Sequence, residues 1–390
     1  MRKGFLILAC FFWFITTACS QSVIKGIVTN AVTGDPIGRC SVFISNTSIG
    51  ATTDEAGKFV LTNVPQGKFE LVISSVGYET YVHSFSATEL PLDLIVQLKQ
   101  KVTELQGVTV EPFIKNGWEI WGKTFTQVLI GTTDFAVRCT IKNQEAVRFR
   151  FSQKRNELTA IADEPLIIEN LALGYVLKYA LEEFTVNFNN QTSLYLGYPL
   201  FIEMPSRSKA WDSEWKDNRQ KAYSGSVMNF IRSIYNDEIN APVEHDQQGF
   251  EIHKQLKLPN SEKSRVKAII TQQKEIGLPA DSIRYFKKTM RQPDSLTTER
   301  ILTAKDLVTI QPDQSKSFFF TDKLSIIYRR KRKLNTDVQK SSIFLTTPEP
   351  VQIEANGSYD PPLEIFSLGY WAQSEKLANL LPLNYWPDDE

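Results

Sequence analysis

Apolar and polar residues alternate, with turn-forming residues at short intervals, through the first hundred positions of the chain. Residues 22–29 alternate in this way, and so do residues 69–73. Glycine and proline mark turns at 33–36 and 65–67. About seven short strands fit into about 80 residues, which predicts a seven-stranded antiparallel β-sandwich over residues 21–100.

The pattern changes after a predicted linker at 101–112. Apolar residues from Trp118 to Leu129 recur at helical spacing until Gly131 interrupts them, which predicts a helix. Further helices are predicted at about 226–235 and about 375–381, the latter ending at Pro382.

Alternating strands are predicted at 147–151, 184–188 and 324–328, with a hairpin turn at Asn356-Gly357. We therefore expect residues 113–390 to form a larger, mostly antiparallel β domain with a few helices. The fold class is mainly β, α+β overall.

The stretch TDEAGKF, residues 53–59, places two acids beside a glycine between two predicted strands. A metal site would need about six to eight oxygen ligands, and a catalytic acid would need a partner group, which is not adjacent in sequence. Asp54 can instead accept hydrogen bonds from the backbone ahead of it, and Gly57 can adopt positive φ. We interpret Asp54 and Gly57 as a structural turn.

Residues 1–20 have the pattern of an export signal. Arg2 and Lys3 precede a short apolar run, and small residues follow it. The run is too short to span a bilayer comfortably. Cleavage before Gln21 fits a released protein, whereas cleavage before Cys19 would make this cysteine a lipidated N-terminus. We expect an exported protein, in the periplasm or at the outer membrane, with membrane association through Cys19 in the second case.

Charge and cysteine content narrow the classes of partner. The 44 basic and 44 acidic residues cancel, so no overall field recruits nucleic acid, and export also disfavours it. Cys40 and Cys139 remain beyond the signal. Their pairing would need suitable spacing between domains, and two separate buried thiols are the preferred interpretation.

The run from Ile24 to Thr80 resembles the carboxypeptidase-regulatory-like domain of Bacteroidetes envelope proteins. The family pattern is G-x-V-x-D-x-x-T-G-x-P-L-x-G-A-x-V, then G-T-x-T-D-x-x-G-x-F, then G-Y. The matching positions are Gly26, Val28, Thr33, Gly34, Pro36, Gly38, Val42, Gly50, Thr53, Asp54, Gly57, Phe59, Gly77 and Tyr78. Asn30 and Cys40 depart from it, and the spacing at Gly38 is one residue tighter.

This resemblance implies a transthyretin-like sandwich. It does not bring a peptidase, because none of the three histidines begins the His-x-x-Glu motif of the zinc enzymes. Related sandwiches precede outer-membrane receptor barrels, but we expect no such barrel here because too few residues follow Val110. Several later segments, such as AVRFRF, are similar to the C-terminal region of exported Bacteroidetes proteins, and this similarity implies no activity.

Candidate chemistry in the larger domain is sparse. A glycosidase would need two converging acids, and the acids beside apolar strands are better explained as solvated strand ends. These acids are Glu164, Glu169, Glu182 and Glu183. A second group, Glu244, His245, Asp246 and His253, lacks the usual metal-site spacing. Hydrolase, P-loop and dinucleotide motifs are absent from the sequence.

The sharpest charge feature is a run of five basic residues: Arg329, Arg330, Lys331, Arg332 and Lys333. It could hold phosphate or lipopolysaccharide as an anion patch, although the exposed end of a strand is the preferred interpretation. Trp211, Trp215 and Trp386 could stack on sugar rings or pack in the core.

Together these patterns predict a non-enzymatic exported envelope protein that binds or scaffolds a partner through its sandwich module. We expect no catalytic residue, metal or cofactor, and the partner is an envelope protein or a glycan. The alternative is a carbohydrate-binding protein or a weak glycan hydrolase, suggested by the aromatic content and the scattered acids.

Overall fold

A computed structural model of the chain describes residues 22–101, 111–206, 208–239, 248–272, 280–293, 295–331 and 336–387. These residues divide into two compact units. One holds the described residues up to 43 together with 49–101, and the other holds 44–48 together with the described residues from 111 onward. The predicted export signal, with Cys19, and most of the predicted linker lie outside the described residues.

Seven strands make up the first unit. They are β1 (Ile24–Asn30), β2 (Ser41–Ile44), β3 (Gly50–Thr52), β4 (Lys58–Leu61), β5 (Lys68–Ser74), β6 (Tyr81–Ser86) and β7 (Leu92–Leu98). They form a three-stranded sheet of order β4-β1-β7 and a four-stranded sheet of order β3-β2-β5-β6. The predicted seven-stranded sandwich is confirmed. The pairs β1–β4, β2–β3 and β5–β6 are antiparallel, whereas β1 and β7 run parallel.

Alternation along the strands fills this sandwich. In β4, Phe59 and Leu61 are buried while Lys58 and Val60 face solvent. One face of this strand is therefore buried and the other faces solvent. The solvent face nevertheless retains apolar side chains, because Val60 is 56% exposed and Ile95 is 79% exposed.

The second unit contains three further sheets. Its strands are β8 (Cys139–Ile141), β9 (Val147–Ser152), β10 (Glu157–Ala162), β11 (Leu166–Asn170), β12 (Tyr175–Asn187), β13 (Thr192–Glu203), β14 (Gly249–Pro259), β15 (Ser295–Leu302), β16 (Val308–Ile310), β17 (Lys316–Phe318), β18 (Leu324–Lys331), β19 (Thr336–Leu345), β20 (Val351–Ile353), β21 (Tyr359–Asp360) and β22 (Ile365–Gly369). The larger, mostly antiparallel β domain is confirmed.

The long strand β12 organises a six-stranded sheet, in which five strands follow the order β8-β11-β12-β10-β9 and the sixth, β13, also pairs with β12. On one side β12 pairs first with β11 and then with β10, and on the other side it pairs with β13. The other two sheets are five-stranded, of order β15-β14-β18-β19-β22, and four-stranded, of order β16-β17-β20-β21.

Six helices accompany these sheets in the described part of the chain. They are α1 (Gly117–Leu129), α2 (Lys209–Tyr223), α3 (Val227–Tyr235), α4 (Ser261–Gln272), α5 (Ala280–Met290) and α6 (Tyr370–Ser374). Helices α1 and α3 lie where the sequence predicts them. The polar helix α2 was not predicted, because its buried positions include the amide Asn218 beside Trp215 and Ala222, so apolar periodicity is weak. None of these helices has the length and apolar character needed to cross a membrane.

The predicted helix at 375–381 is wrong. The helix of this region is α6, and the chain then continues as turns. The backbone N–H groups of Leu377 and Ala378 donate to the oxygens of Leu129 and Ile130 at the end of α1, at 3.2 and 3.1 Å. These tertiary bonds replace the helical ladder that the apolar spacing alone would favour.

Two hydrophobic clusters form the core of the second unit. One joins the six-stranded sheet to α1 and to apolar residues near the chain's end, and it includes Phe125 and Phe149 with ring centroids 5.6 Å apart. The other joins the five-stranded sheet to α3 and includes Phe230, whose ring lies 5.3 Å from that of Trp371.

Arg232 of α3 is the largest fully buried side chain, and it holds three backbone segments together. Its Nε donates to the oxygen of Asn356, Nη1 to that of Tyr385 and Nη2 to that of Leu383, each at 3.0 Å. Its guanidinium also lies 3.8 Å from the centroid of the Trp386 ring. Burial lowers the pKa of Arg232 from its ordinary value, but a guanidinium remains protonated in proteins.

Arg232→Ala should therefore lower the free energy of unfolding by about 2–4 kcal/mol, because three enclosed carbonyls lose their donor. Urea denaturation would measure this change. Arg265→Ala, which removes a mostly exposed arginine, is the matched control and should change stability by no more than about 0.5 kcal/mol. Equal effects of the two substitutions would contradict the role assigned to Arg232.

Candidate functional site

The acidic bend between β3 and β4 uses its polar groups on its own backbone. Asp54 Oδ1 accepts from the N–H groups of Ala56 and Lys58 at 3.0 and 2.8 Å. Gly57 has a φ of 73°, and a Cβ there would lie 2.4 Å from the oxygen of Val28. Both turn residues are thus placed where glycine and a short acceptor are needed.

The basic run at the end of β18 is divided by the structure. Arg329 makes a two-pronged ion pair with the buried Glu251, with Nε–Oε1 and Nη2–Oε2 distances of 3.2 and 3.1 Å. Arg330 lines a cavity described below. The side chain of Lys331 and the whole of Arg332 and Lys333 lie outside the described residues.

Glu251 also contacts His253, the described member of the second candidate group. His253 Nε2 lies 3.2 Å from Glu251 Oε2, and Nδ1 lies 3.4 Å from Glu299 Oε2. The other members, Glu244, His245 and Asp246, lie outside the described residues. Within the described ranges, no three such side chains converge as metal ligands would.

The four acids considered for glycan hydrolysis lie on β11 and β12 or close beside them. Glu164 accepts from Asn143 Nδ2 at 3.1 Å, and Glu169 pairs with Lys142 at 3.2 Å. Glu182 and Glu183 are exposed at the irregularity of the β12–β13 pairing.

The tryptophans and cysteines take different environments. Trp215 is buried and donates from Nε1 to the oxygen of Leu171 at 3.0 Å, so it packs in the core and is not available to sugars. Trp211 is half-buried beside it, while Trp386 is 41% exposed over Arg232.

Cys40 and Cys139 are both free thiols, and burial raises the pKa of Cys139 to about 12.

A cavity of about 690 Å³ in the second unit brings together charged residues from distant parts of the sequence. This volume is within the usual range for ligand pockets. Its lining residues come from the segment before β8, from α2, β18 and β19, and from the region around α6. They are Thr133, Asp134, Phe135, Arg138, Glu214, Asn218, Lys221, Arg330, Asp337, Val338, Gln339, Lys340, Tyr370 and Asn379.

Positive charge slightly exceeds negative charge in this lining. Of its four cations, Arg138 is paired through both nitrogens with Glu214. Lys221 contacts the amide oxygen of Asn218 at 3.3 Å. Within the described ranges, no carboxylate forms an ion pair with Lys221, Arg330 or Lys340. The cavity can therefore receive an anionic group.

Neutral polar groups surround these cations. Asn218 donates to the oxygen of Ala172 at 3.0 Å, which fixes its side chain, and Thr133 donates to Asn379 Oδ1 at 2.6 Å. Gln339 is buried against Gly225, and its Oε1 accepts no hydrogen bond from the described residues. Among the lining residues, only Arg330 belongs to a pattern that is visible in the sequence, the run of five basic residues, since the others carry no motif.

A half-buried acid lies directly after α6. Glu375 Oε1 accepts from the N–H of Val227, the first residue of α3, at 3.3 Å, and its backbone oxygen lies 3.3 Å from Tyr195 Oη. Burial raises the pKa of Glu375 to about 7, against the opposing effect of the Val227 bond. Sequence gives no signal for this group.

Comparison with known proteins identifies the first unit. Residues 24–110 match the family model of the CarboxypepD_reg-like domain. The match agrees with the sequence resemblance and with the seven strands. No curated protein matches the sequence.

Three solved structures show distant likenesses. A cohesin–X-dockerin complex from Acetivibrio cellulolyticus is 18% identical, with 29% of this chain and 78% of that chain covered and a TM-score of 0.17. A Bacteroides fragilis protein described as membrane-associated and of unknown function is 10% identical, covering 85% and 93%, with a TM-score of 0.17. The major pilin subunit BcpA of Bacillus cereus is 11% identical, covering 86% and 96%, with a TM-score of 0.16. At such scores the fold description rests on the sheets themselves.

Asp54→Ala should lower the free energy of unfolding by about 1 kcal/mol, because two backbone donors of the bend lose their acceptor. Asp54→Asn, which keeps an acceptor oxygen, should retain most of this stability. Thermal unfolding of both variants would measure the difference, with Glu55→Ala as the neighbouring exposed control. Loss of stability in the asparagine variant equal to that of the alanine variant would argue against the hydrogen bonds.

Glu375 should make stability depend on pH. Its folded pKa lies above the ordinary 4.5, so the folded state binds more protons between pH 4.5 and 7. The free energy of unfolding should thus fall by about 1–3 kcal/mol as pH rises through this window, and then level off.

Glu375→Gln should remove this fall, and urea denaturation at pH 5 and pH 8 would measure it. The exposed Glu349→Gln is the control and should leave the fall unchanged. A Glu375→Gln variant whose stability parallels that of the unsubstituted chain at both pH values would exclude this effect.

Proposed function

We propose that this chain is a non-enzymatic exported protein of the cell envelope that binds or scaffolds a partner protein through its CarboxypepD_reg-like module. The observation that carries the proposal is the solvent face of the β4-β1-β7 sheet. Ile27 lies beside Ile95 in the β1–β7 register, and Val60 lies beside Lys25 in the β1–β4 register. Val60 and Ile95 are largely exposed.

This face combines apolar side chains with a polar border, as protein-binding surfaces do. Lys25 and Asp93 form an exposed ion pair at 3.1 Å within the same face. Such a pair contributes little to stability but can orient a partner. The apolar residues supply the contact area.

The proposed localisation to the cell envelope is supported by the signal-like sequence at residues 1–20. Cleavage before Gln21 would release the protein into the periplasm, and cleavage before Cys19 would attach it to a membrane through lipid. Both routes bring the module to the envelope, where nucleic acid is not a partner.

The non-enzymatic character is supported by how the module uses its polar groups. Both acids of its bend already have partners within the module. Asp54 accepts a hydrogen bond from the backbone N–H of Lys58, and Glu55 forms an ion pair with Arg39 at 3.1 Å. A family match to a regulatory-like domain also favours recognition over catalysis.

Carbohydrate binding is a second candidate, favoured by the cavity of the second unit. Its amides and hydroxyls, such as Asn218, Asn379 and Thr133, suit sugar hydroxyl groups. A glycan array and a reducing-sugar assay test this candidate. The absence of both glycan binding and reducing-sugar release would exclude carbohydrate binding and weak glycan hydrolysis.

Substitution of both exposed apolar residues, Val60→Lys with Ile95→Lys, should reduce cross-linking to the partner in intact cells by roughly tenfold, because two contacts are lost and two charges must be desolvated. Cross-linking followed by co-purification measures the yield. Val32→Lys is the matched control, since Val32 is a valine of the same unit that is 86% exposed. Repeated recovery of the unsubstituted chain alone at native levels would refute the proposal.

A further inference from the structure

The cavity runs along the edge of β19 that lies away from β18. Four consecutive residues of β19, 337–340, line it, although their side chains alternate between the two faces of the sheet. Only the edge of the strand is common to all four. The cavity is therefore bounded by the backbone of β19 as well as by side chains.

The sheet pairing explains why this edge is open. On one side, β19 pairs with β18 along Thr336–Ile343. On the other side, β22 pairs with β19 only along Ser341–Leu345 and ends at Gly369. Among the described strands, no partner continues beside 336–340 on that side, and the described backbone offers no other hydrogen bonds to Val338, Gln339 or Lys340.

The backbone conformation at Gly369 ends β22. Gly369 has a φ of 77°, and the chain turns there into α6. The N–H of Trp371 donates to Ser341 Oγ at 3.1 Å, and its Nε1 donates to the oxygen of Gly225 at 2.7 Å. The bond to Ser341 holds the start of α6 at the end of the β19–β22 pairing, and among the described residues no strand continues the row of β22 beyond Gly369.

The charges around the edge select the kind of strand that could occupy it. Lys340 lies on β19 itself, Lys221 on α2, and Arg330 on β18 opposite Asp337. Arg138 is already neutralised by Glu214. An extended segment with acidic side chains would pair its backbone with the edge and its carboxylates with these cations.

We propose that this cavity binds an extended acidic peptide segment of a partner protein, which adds as a strand beside residues 336–340 of β19. At about 3.3 Å per residue, the free edge accommodates roughly four to five residues. The site belongs to the second unit and is independent of the sandwich face proposed above.

A randomised heptapeptide display library, selected on the full chain, tests the proposal. Selected peptides should be rich in Asp, Glu and β-branched residues and poor in proline, because proline lacks the N–H that strand pairing needs. Enrichment of neutral, basic or proline-rich peptides, or no enrichment, would overturn the proposal.

Matched variants then locate the binding. The substitutions Lys340→Glu and Lys221→Glu should each lower the affinity for a selected peptide by roughly tenfold, as measured by fluorescence anisotropy. Lys323→Glu, an equal charge change at an exposed lysine outside the cavity lining, should leave affinity unchanged. Equal weakening by all three variants would indicate general electrostatic attraction and refute the site.

Hydrogen exchange and a proline-containing peptide test whether the bound peptide pairs with the backbone of β19. Binding should slow hydrogen exchange of amides within 337–340, and an otherwise identical peptide with two central prolines should bind at least roughly tenfold more weakly. Unchanged exchange, or equal binding of the proline peptide, would exclude strand addition. If no peptide is selected and polygalacturonate binds in a Lys340-dependent way, the cavity would instead be assigned to an acidic saccharide.

Discussion

The second unit depends on a buried positive charge that is held mainly by three backbone carbonyls. Arg232 extends from α3 and donates to carbonyls of three residues that lie 124 to 153 positions further along the chain. An enclosed guanidinium is costly unless its donors are matched, and its planar fork suits several acceptors at once. Because its neighbours Phe230 and Ile231 belong to one hydrophobic cluster and Tyr385 to the other, Arg232 connects both cores.

The same terminal region shapes the cavity. Leu377 and Ala378 bind the end of α1, Trp371 binds β19 and the Gly225 backbone, and Tyr370 and Asn379 line the cavity. The segment 375–381, for which the sequence predicts a helix, is thus held in turns by hydrogen bonds to other elements. Among the described strands none then continues beside residues 336–340 of β19, because the chain leaves the sheet at Gly369.

The two units present different kinds of surface. The sandwich has a small exposed apolar face on one sheet, while the larger unit has a charged cavity beside a strand edge. Apolar area suits a folded partner, and an unpaired edge suits an extended segment. The binding proposed for each surface can be tested separately on the full chain.

The sequence by itself determined the local features of this protein. Turn residues and alternation predict the seven strands, and helical spacing predicts α1 and α3, because these features depend on near neighbours. Asp54 and Gly57 act within a few residues of themselves, so their bend is also readable from the sequence.

Only the tertiary structure decided which distant residues meet. Arg329 and Arg330 are adjacent in sequence, yet one pairs with Glu251 and the other faces the cavity, because neighbouring strand residues point to opposite faces. Trp215 reads as a possible sugar platform but is enclosed by packing. The predicted helix at 375–381 fails because its N–H groups find partners on α1, and such long-range bonds leave no local pattern to read.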